Sequence, residues 1–413
     1  MANAPFAPGL ALALERYGLR WAPAGLALTL LVAACSGAGT PGPDGATGPA
    51  GTASPAVLPT GTATQVVTPA LSPLPEGATI TVDGAGDDDS RDDLLTLREA
   101  ILLATGTLER GSLTAGEADN VRGDVGGALA DVITFDASAF PQEGGEPITL
   151  ASALPSLSSG FDAVDGVGAT PVISGGPFEC LRIDSGGNTV RGLMIRDCDT
   201  GLALSAGAQD NVVGGAGKGQ GNVISGNRVG IEIRGRGNRV EGNLIGLDAS
   251  GRTAMPNRAE GIWIAPGAQD NIIGGGEPGT GNVISGNDLF GVSIDGPEGI
   301  GLGPTRGNVL AGNYIGTDTT GMVAVPNEYG INIQAGAQEN VIGGEGGGKV
   351  NVIAGNQVGI VIRDPPTQGN VISGNYFGLT ADGAGSLPNG VDVSLLEDAG
   401  ENVVRENVTE PLP

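Results

Sequence analysis

The stretch Gly221-Asn-Val-Ile-Ser-Gly-Asn227 decides the fold, because it recurs as Gly281-Asn-Val-Ile-Ser-Gly-Asn287 and, slightly altered, as Asn351-Val-Ile-Ala-Gly-Asn356. Eleven residues before the first asparagine of each copy stands another asparagine, followed by two aliphatic residues and two glycines: Asn211, Asn271 and Asn340. These starts are 60 and 69 residues apart. Self-similarity on this scale indicates a repeat architecture rather than a conventional globular domain.

Short alternating units lie between these motifs, each a glycine followed by an aliphatic, a variable and a second aliphatic residue. They are Gly230-Ile-Glu-Ile, Gly261-Ile-Trp-Ile, Gly291-Val-Ser-Ile, Gly330-Ile-Asn-Ile, Gly359-Ile-Val-Ile and Gly390-Val-Asp-Val. Such brief alternation, bounded by glycine and asparagine, predicts very short strands joined by tight turns, and no apolar stripe of helical period is present. Strands this short are stable only when coils stack. We therefore predict an all-β solenoid, a right-handed parallel β-helix with a short N-terminal helical cap.

The recurrent asparagine has two interpretations. A row of identical amides on successive coils is a candidate ligand-binding row. Asparagine also tolerates the left-handed backbone of tight turns, and an amide repeated at one corner bonds to the rungs above and below as an internal ladder. We favour the ladder.

The composition excludes several classes of mechanism. The 413 residues contain no histidine, so neither a Ser-His-Asp arrangement nor a zinc site with imidazole ligands is available. The net charge is −26, and Lys218 and Lys349 are the only lysines. Without a basic patch to neutralise phosphates, nucleic acid is not an expected partner.

The N-terminus predicts export. Residues 22–34 are thirteen uncharged, mostly apolar residues that follow Arg16 and Arg20 and lead into Cys35. This run is too short to span a bilayer but fits a signal peptide. The small residues before Cys35 resemble a bacterial lipobox, so we predict a lipoprotein signal peptide at 1–34 and lipidation of Cys35. An ordinary signal peptide and a retained anchor are the alternatives.

Composition divides the rest of the chain into three parts. Residues 35–76 are rich in Gly, Pro, Ala and Thr, almost without charge, and predict a tether. Residues 77–160 form the N-terminal cap and first coils, where Thr96 and Glu99 make a capping box for a helix that ends near Gly106. The β-helix repeats occupy 161–413. The expected location is the outer face of a membrane, at the cell surface, with the lipid as the only membrane contact.

The cap region carries a family resemblance. Leu97-Arg-Glu-Ala-Ile101, Asp131-Val-Ile-Thr-Phe-Asp136 and the repeats together resemble bacterial surface proteins with a CSLREA-type N-terminal segment and a right-handed parallel β-helix, within the pectin-lyase-like superfamily. Leu95 stands where the family motif has its cysteine. The resemblance implies a secreted or surface-attached protein. Pectate lyases and polygalacturonases belong to the wider superfamily, but fold alone does not assign an activity.

The alternating units also allow a search for a catalytic site. The variable residue and the residue after the second aliphatic one point outward on the same sheet face. Glu232 and Asp295 are the only carboxylates that approach each other there, two rungs apart and separated by the Trp263 rung. They are weak catalytic candidates, whereas Trp263 is a candidate for stacking on a sugar ring; a tryptophan covered by a neighbouring loop is the alternative.

Two further features bear on ligands and covalent structure. Asp248 and Asp318 recur in turns where oxygen atoms favour Ca²⁺, but each turn offers one carboxylate, so an Asx-turn is preferred and no metal or other cofactor is expected. Cys180 and Cys198 are separated by 18 residues, close to one coil, and an exported protein permits a disulfide between them.

These observations lead to one expected function and two alternatives. We expect a surface-anchored lipoprotein that displays a non-catalytic β-helix for carbohydrate binding or adhesion, with a polysaccharide or cell-envelope glycan as partner. A polysaccharide lyase or glycoside hydrolase using Glu232 and Asp295 is the first alternative. A structural envelope protein without a small ligand is the second.

Overall fold

A computed structural model describes residues 76–412, apart from 127–128, 142–144, 345, 347 and 397–398. The predicted signal peptide (1–34), Cys35 and nearly all of the tether (35–76) lie outside the described residues. The described part belongs to one compact unit, Pro73–Pro413. Within it, no helix combines the length and the apolar character that crossing a membrane requires.

Three sheets, here named A, B and C, build the coil, and from Ala163 onward the chain visits them in that order on every turn. Among the described residues, sheet A contains, in spatial order, Val121–Arg122, Glu76–Val82, Ala130–Phe135, Ala163–Asp165, Thr189–Arg191, Val212–Gly214, Arg239–Glu241, Ile272–Gly274, Val309–Ala311, Val341–Gly343, Val371–Ser373 and Val403–Arg405. Sheet B contains Ile148–Thr149, Val172–Ser174, Met194–Arg196, Val223–Ile224, Leu244–Ile245, Val283–Ile284, Tyr314–Ile315, Val352–Ile353 and Tyr376–Phe377. Sheet C contains Glu179–Ile183, Thr200–Leu204, Val229–Ile233, Glu260–Ile264, Phe290–Asp295, Tyr329–Gln334, Val358–Ile362 and Val391–Leu395.

Strand pairing identifies the fold. Each strand of these sheets pairs in parallel with the strand one coil away, except that Val121–Arg122 runs antiparallel to Glu76–Val82. The protein is therefore a parallel β-helix, and this prediction is confirmed. Each rung contributes one inward aliphatic residue from sheet A, one from sheet B and two from sheet C, for example Val240, Ile245, Ile262 and Ile264, all fully buried. Stacking these residues gives a continuous core with few aromatic rings.

Three columns of asparagine stand at the corners before the three sheets, and nearly all of their side chains are buried. The corner before sheet A carries Asn188, Asn211, Asn238, Asn271, Asn308, Asn340, Asn370 and Asn402. The corner before sheet B carries Asn222, Asn243, Asn282, Asn313, Asn351, Asn375 and Asn407. The corner before sheet C carries Asn227, Asn257, Asn287, Asn327, Asn356 and Asn389.

The amides in each column bond to one another. The main-chain N–H and the side-chain Nδ2 of Asn238 both donate to Oδ1 of Asn271, at 2.9 and 3.0 Å, and Asn271 repeats the pattern toward Asn308 at 3.1 and 2.9 Å. The second Nδ2 proton of Asn271 goes to the main-chain oxygen of Gly235 at 3.0 Å. Each amide is thus occupied by the scaffold. The structure agrees with the internal ladder rather than with a ligand row.

A helical element closes the N-terminal region, where the sequence predicts one helix. Helix α1, Leu97–Ala104, has the expected capping box from Thr96 and Glu99. A short turn at Arg110–Ser112 leads to a second helix, α2, Ala115–Asp119, which the sequence analysis did not predict. Arg91 pairs with the buried carboxylates of both capping boxes, at 2.7 Å from Glu99 and 3.1 Å from Glu117. This shared cation fixes the two helices beside the first strands.

The last rung of sheet C differs from the sequence prediction. Val391 pairs with Val358 and Ser394 with Val361, so Asp392 lies at the position that glycine holds in the preceding rungs. The reason is that Val393 and Leu395, not Val391 and Val393, continue the columns of Ile360 and Ile362. The outward variable residue of this rung is Ser394, and Asp392 is not part of that column.

The ladder generates a stability prediction. We expect Asn271→Ala to lower the free energy of unfolding by about 2–5 kcal/mol, because two buried donors of Asn238 lose their acceptor. Denaturant unfolding followed by circular dichroism measures the change. Asn402→Ala is the matched control in the same column: its side chain is only partly buried, so the loss should be smaller. Equal losses at both positions would contradict a buried ladder.

The first column begins with two carboxyl groups instead of amides. The main-chain N–H of Asp131 donates to Oδ1 of Asp162 at 3.2 Å, and that of Asp162 donates to Oδ1 of Asn188 at 3.1 Å. Both aspartates are fully buried. Burial raises the pKa of Asp162 to about 6, although the hydroxyl of Ser159 opposes the shift. Between pH 3.8 and about 6, the native chain therefore holds a proton that the unfolded chain has released.

This imbalance predicts that the stability contributed by Asp162 is present below pH 4 and is lost as the pH rises through about 6. Asp162→Asn, which continues the amide column, should remove this loss and stabilise the protein at pH 7 by up to about 3 kcal/mol. Denaturant unfolding at pH 4.5 and pH 7 tests it, with Asp197→Asn at an exposed position as control. A variant with the pH dependence of the native chain would overturn a titrating Asp162.

Candidate functional site

The outer face of sheet C brings the sequence-predicted residues together. Glu232 pairs with Trp263, and Trp263 pairs with Ser293, on three successive strands. Asp295 follows Ser293 by two residues and pairs with Gln334 of the next strand. We call this surface the Trp263 face. Its polar and aromatic side chains are those of Glu232, Arg234, Trp263, Asp295, Gln334 and Arg363.

Trp263 is half-buried and held from two directions. Its indole Nε1 donates a hydrogen bond to Oδ2 of Asp295 at 3.0 Å. The guanidinium carbon of Arg234 lies 5.3 Å from the centre of the indole ring, within the range of a cation–π contact. The ring is therefore fixed before any ligand arrives, and Arg234 covers part of it.

Asp295 acts as the anchor of this network. Its side chain is fully buried. Besides Trp263 at Oδ2, its Oδ1 accepts hydrogen bonds from Ser293 Oγ at 2.6 Å and from Gln334 Nε2 at 3.1 Å. Thr305 Oγ1 donates to the main-chain oxygen of the same residue at 2.8 Å. Because these donors take up both carboxylate oxygens of a fully buried side chain, Asp295 is poorly placed to reach a substrate.

Glu232 is engaged in a different way. It is 6% exposed, and its Oε1 lies 2.5 Å from Nε of Arg234. Two rungs and a two-residue offset along the strand separate it from Asp295, which puts the two α-carbons about 12 Å apart. Their carboxylates also have different partners, Arg234 for Glu232 and the Trp263 indole for Asp295. The face brings the two residues onto one surface without pairing them.

Sequence reasoning places Gln334 and Arg363 on this face but missed the aromatic side chains beside them. Gln334 Oε1 accepts a hydrogen bond from Nε of Arg363 at 2.9 Å, and the guanidinium of Arg363 lies 5.8 Å from the Phe290 ring centre. Phe290 and Tyr329 pack together with ring centres 5.4 Å apart. The residue before the glycine of each alternating unit supplies Glu260, Phe290 and Tyr329 to this surface. That position was the available signal, whereas the outward residues predicted from the sequence are the second and fourth after the glycine.

In each of the two turns considered for Ca²⁺, the aspartate accepts hydrogen bonds from residues of the same turn. Oδ1 of Asp248 accepts from Ser250 Oγ at 2.7 Å and from the main-chain N–H of Thr253 at 3.2 Å. Oδ1 of Asp318 accepts from Thr320 Oγ1 at 2.7 Å in the same way. These are Asx-turns. Within the described residues, no group of three or more Cys, Asp or Glu side chains is arranged to hold a metal ion.

Cys180 and Cys198 form a disulfide with α-carbons 5.8 Å apart. Both are buried against the core, at the edge of sheet C where the regular repeats begin. The bond links the strand Glu179–Ile183 to the corner before the next strand of that sheet, and therefore ties two neighbouring coils.

Comparison with known proteins assigns no family to this chain. The chain matches no protein-family profile and no curated protein. Among solved structures, an alginate lyase from Paenibacillus sp. str. FPU-7 aligns at 16% identity with a TM-score of 0.40, over 68% of this chain and 91% of that one. The Dettilon tailspike protein aligns at 14% identity with a TM-score of 0.20, over 67% of this chain and 62% of that one. Likeness at this level carries no inference about activity, and the CSLREA-type resemblance stays a prediction.

Proposed function

We propose that this protein is a non-catalytic carbohydrate-binding protein displayed at the cell surface, with the Trp263 face as a glycan contact. The observation that carries the proposal is the engagement of both candidate carboxylates. Asp295 accepts hydrogen bonds from three side chains, and Glu232 is paired with Arg234. General acid–base catalysis needs a group free to exchange a proton with the substrate. A rigid surface of fixed donors and one aromatic ring is suited to recognition instead.

The groups that remain on the face match the chemistry of a sugar. The exposed part of the Trp263 ring offers an apolar platform for the C–H face of a pyranose. Arg234 has a half-exposed side chain, so its guanidinium can donate to sugar hydroxyls beside that ring. Asn332 Oδ1 is buried next to the face and has no hydrogen-bond partner among the described residues. A buried acceptor normally has a donor, and since this side chain has no exposed surface, a bound water is the donor that fits there.

Binding and catalysis are separated by one pair of measurements. We expect the full chain, incubated with neutral and acidic polysaccharides in Ca²⁺ and then in EDTA, to release no reducing ends and no unsaturated uronate. In a Trp21→Phe background, where Trp263 is the only tryptophan, a bound glycan should quench its fluorescence in a saturable manner. Trp263→Ala should remove that binding.

Two outcomes would overturn the proposal. Product formation that Glu232→Gln or Asp295→Asn abolishes would establish a lyase or hydrolase. Quenching by none of the polysaccharides, together with no retention on immobilised glycans, would leave a structural envelope protein. Arg239→Ala, which removes a half-exposed side chain of sheet A outside the Trp263 face, is the control for general damage to the coil.

The anchor is a separate part of the proposal. We propose that Cys35 is lipidated and that residues 35–76 tether the β-helix to the membrane. In a bacterial host, palmitate label should enter the native chain and should be absent from Cys35→Ala. Cell fractionation should then recover the variant outside the membrane fraction. Equal labelling of both chains would contradict lipidation at this residue.

A further inference from the structure

A groove of about 500 Å³ lies along the outer side of sheet B, away from the Trp263 face. Its floor is a column of outward side chains on successive strands, Val283, Tyr314, Val352 and Tyr376, which pair in that order. The two tyrosines therefore lie two rungs apart, about 10 Å along the coil axis, with a valine between them. The floor alternates a small aliphatic residue with an aromatic ring.

One wall of the groove consists of main chain. Gly275, Gly276, Gly279 and Gly348 line it, in loops that stack on one another. The stacking is so close that a Cβ on Gly348 would collide with the main-chain oxygen of Gly276. Glycine is thus required for loop packing, and as a consequence this wall consists largely of main-chain amide and carbonyl groups, with the Lys349 side chain beside Gly276. Such groups are donors and acceptors for ligand hydroxyls.

The loops of the opposite wall pack against the two tyrosine rings. Three similar loops stack there, with Thr319 N–H donating to the oxygen of Gly251 at 3.1 Å and Ala381 N–H donating to the oxygen of Gly321 at 3.0 Å. Gly321 and Gly383 have φ angles of +67° and +70°, and a Cβ on either would lie 3.1–3.2 Å from Cε2 of Tyr314 or Tyr376. Each ring therefore rests against a loop glycine and is half-buried. The two tyrosine rings are held by the same kind of contact, so neither ring has to change position when a ligand binds.

The charges of the groove select against an anionic ligand. Glu277 contributes a carboxylate to the lining. The exposed side chain of Lys349 passes over Gly276 beside it, so that one cation accompanies one anion. The whole chain carries a net charge of −26, which repels polyanions at a distance. A neutral ligand rich in hydroxyl groups fits the groove better than an acidic one.

We propose that this groove binds a neutral, linear polysaccharide that runs parallel to the coil axis, with Tyr314 and Tyr376 each stacking on one sugar ring. The two-rung separation is comparable with the disaccharide repeat of an extended β-1,4-linked chain, so the rings meet alternate sugars. The ligand class rests on the proposed function, whereas the site uses residues that the Trp263 face does not contain.

The length of the oligosaccharide gives the first test. Isothermal titration calorimetry of the full chain with cellobiose, cellotetraose and cellohexaose should show a steep gain in affinity from the disaccharide to the tetrasaccharide, since only the longer ligand reaches both rings. Tyr314→Ala and Tyr376→Ala should each weaken binding of cellohexaose by about tenfold, equivalent to the loss of one aromatic contact. Tyr314→Phe and Tyr376→Phe keep the rings and should bind nearly as the native chain does.

Controls separate this site from the Trp263 face. Arg239→Ala removes a half-exposed side chain of sheet A, outside both sites, and should leave cellohexaose affinity unchanged. Circular dichroism melting checks that each variant is folded. Binding that survives both groove substitutions but is lost in Trp263→Ala overturns the groove and leaves the proposed function standing. Tighter binding of tetragalacturonate than of cellotetraose overturns the neutral ligand class. Failure of the native chain to bind any of these oligosaccharides overturns the groove proposal together with the proposed function for neutral glycans.

Discussion

Side-chain amides that bond from rung to rung are the constraint on which the rest of this structure depends. At most positions of each column, Oδ1 of one asparagine accepts two hydrogen bonds from the asparagine before it, as Asn271 does from Asn238. The bond lengths allow little variation in the vertical spacing of the corners, so every coil begins each sheet at the same place. Coil length varies between the corners, because insertions such as residues 248–254 and 318–324 leave the columns undisturbed. The aliphatic core fills the interior that the corners define.

Because some positions of each coil are needed for the scaffold, ligands can bind only at the others. Corner asparagines and inward aliphatic residues are committed to the scaffold, which leaves the outward positions of the sheets and the loops beside them. Regular stacking then sets outward side chains at multiples of the strand spacing. The indole of Trp263 reaches the carboxylate of Asp295 one rung away, and Tyr314 and Tyr376 face the same groove two rungs apart. The scaffold thus supplies pre-organised surfaces at no further conformational cost.

The sequence predicted the β-helix, the strand positions and the asparagine ladder because each depends on a local pattern that recurs. The capping box at Thr96 and Glu99 was predictable for the same reason. Features that depend on the register between coils could not be predicted from the sequence. They include the hydrogen bonds from Trp263 and Gln334 to Asp295, and the shift that removes Asp392 from its column. Tyr314 and Tyr376 each follow an asparagine of the repeat, but their groove needs glycine loops from different coils to converge. Asp131 and Asp162 replace asparagine in the ladder, and only the structure aligns them with it.

The hydrogen exchange of the asparagine side-chain amides tests the central claim most directly. Nuclear magnetic resonance of ¹⁵N-labelled protein can follow the Nδ2 protons of the three columns with and without cellohexaose. The internal ladder predicts slow exchange for buried members such as Asn271 and Asn313, at the same rate in both samples. Fast exchange in the free protein, with protection that appears only when the glycan is added, would show that the asparagines form a ligand row and would contradict the account.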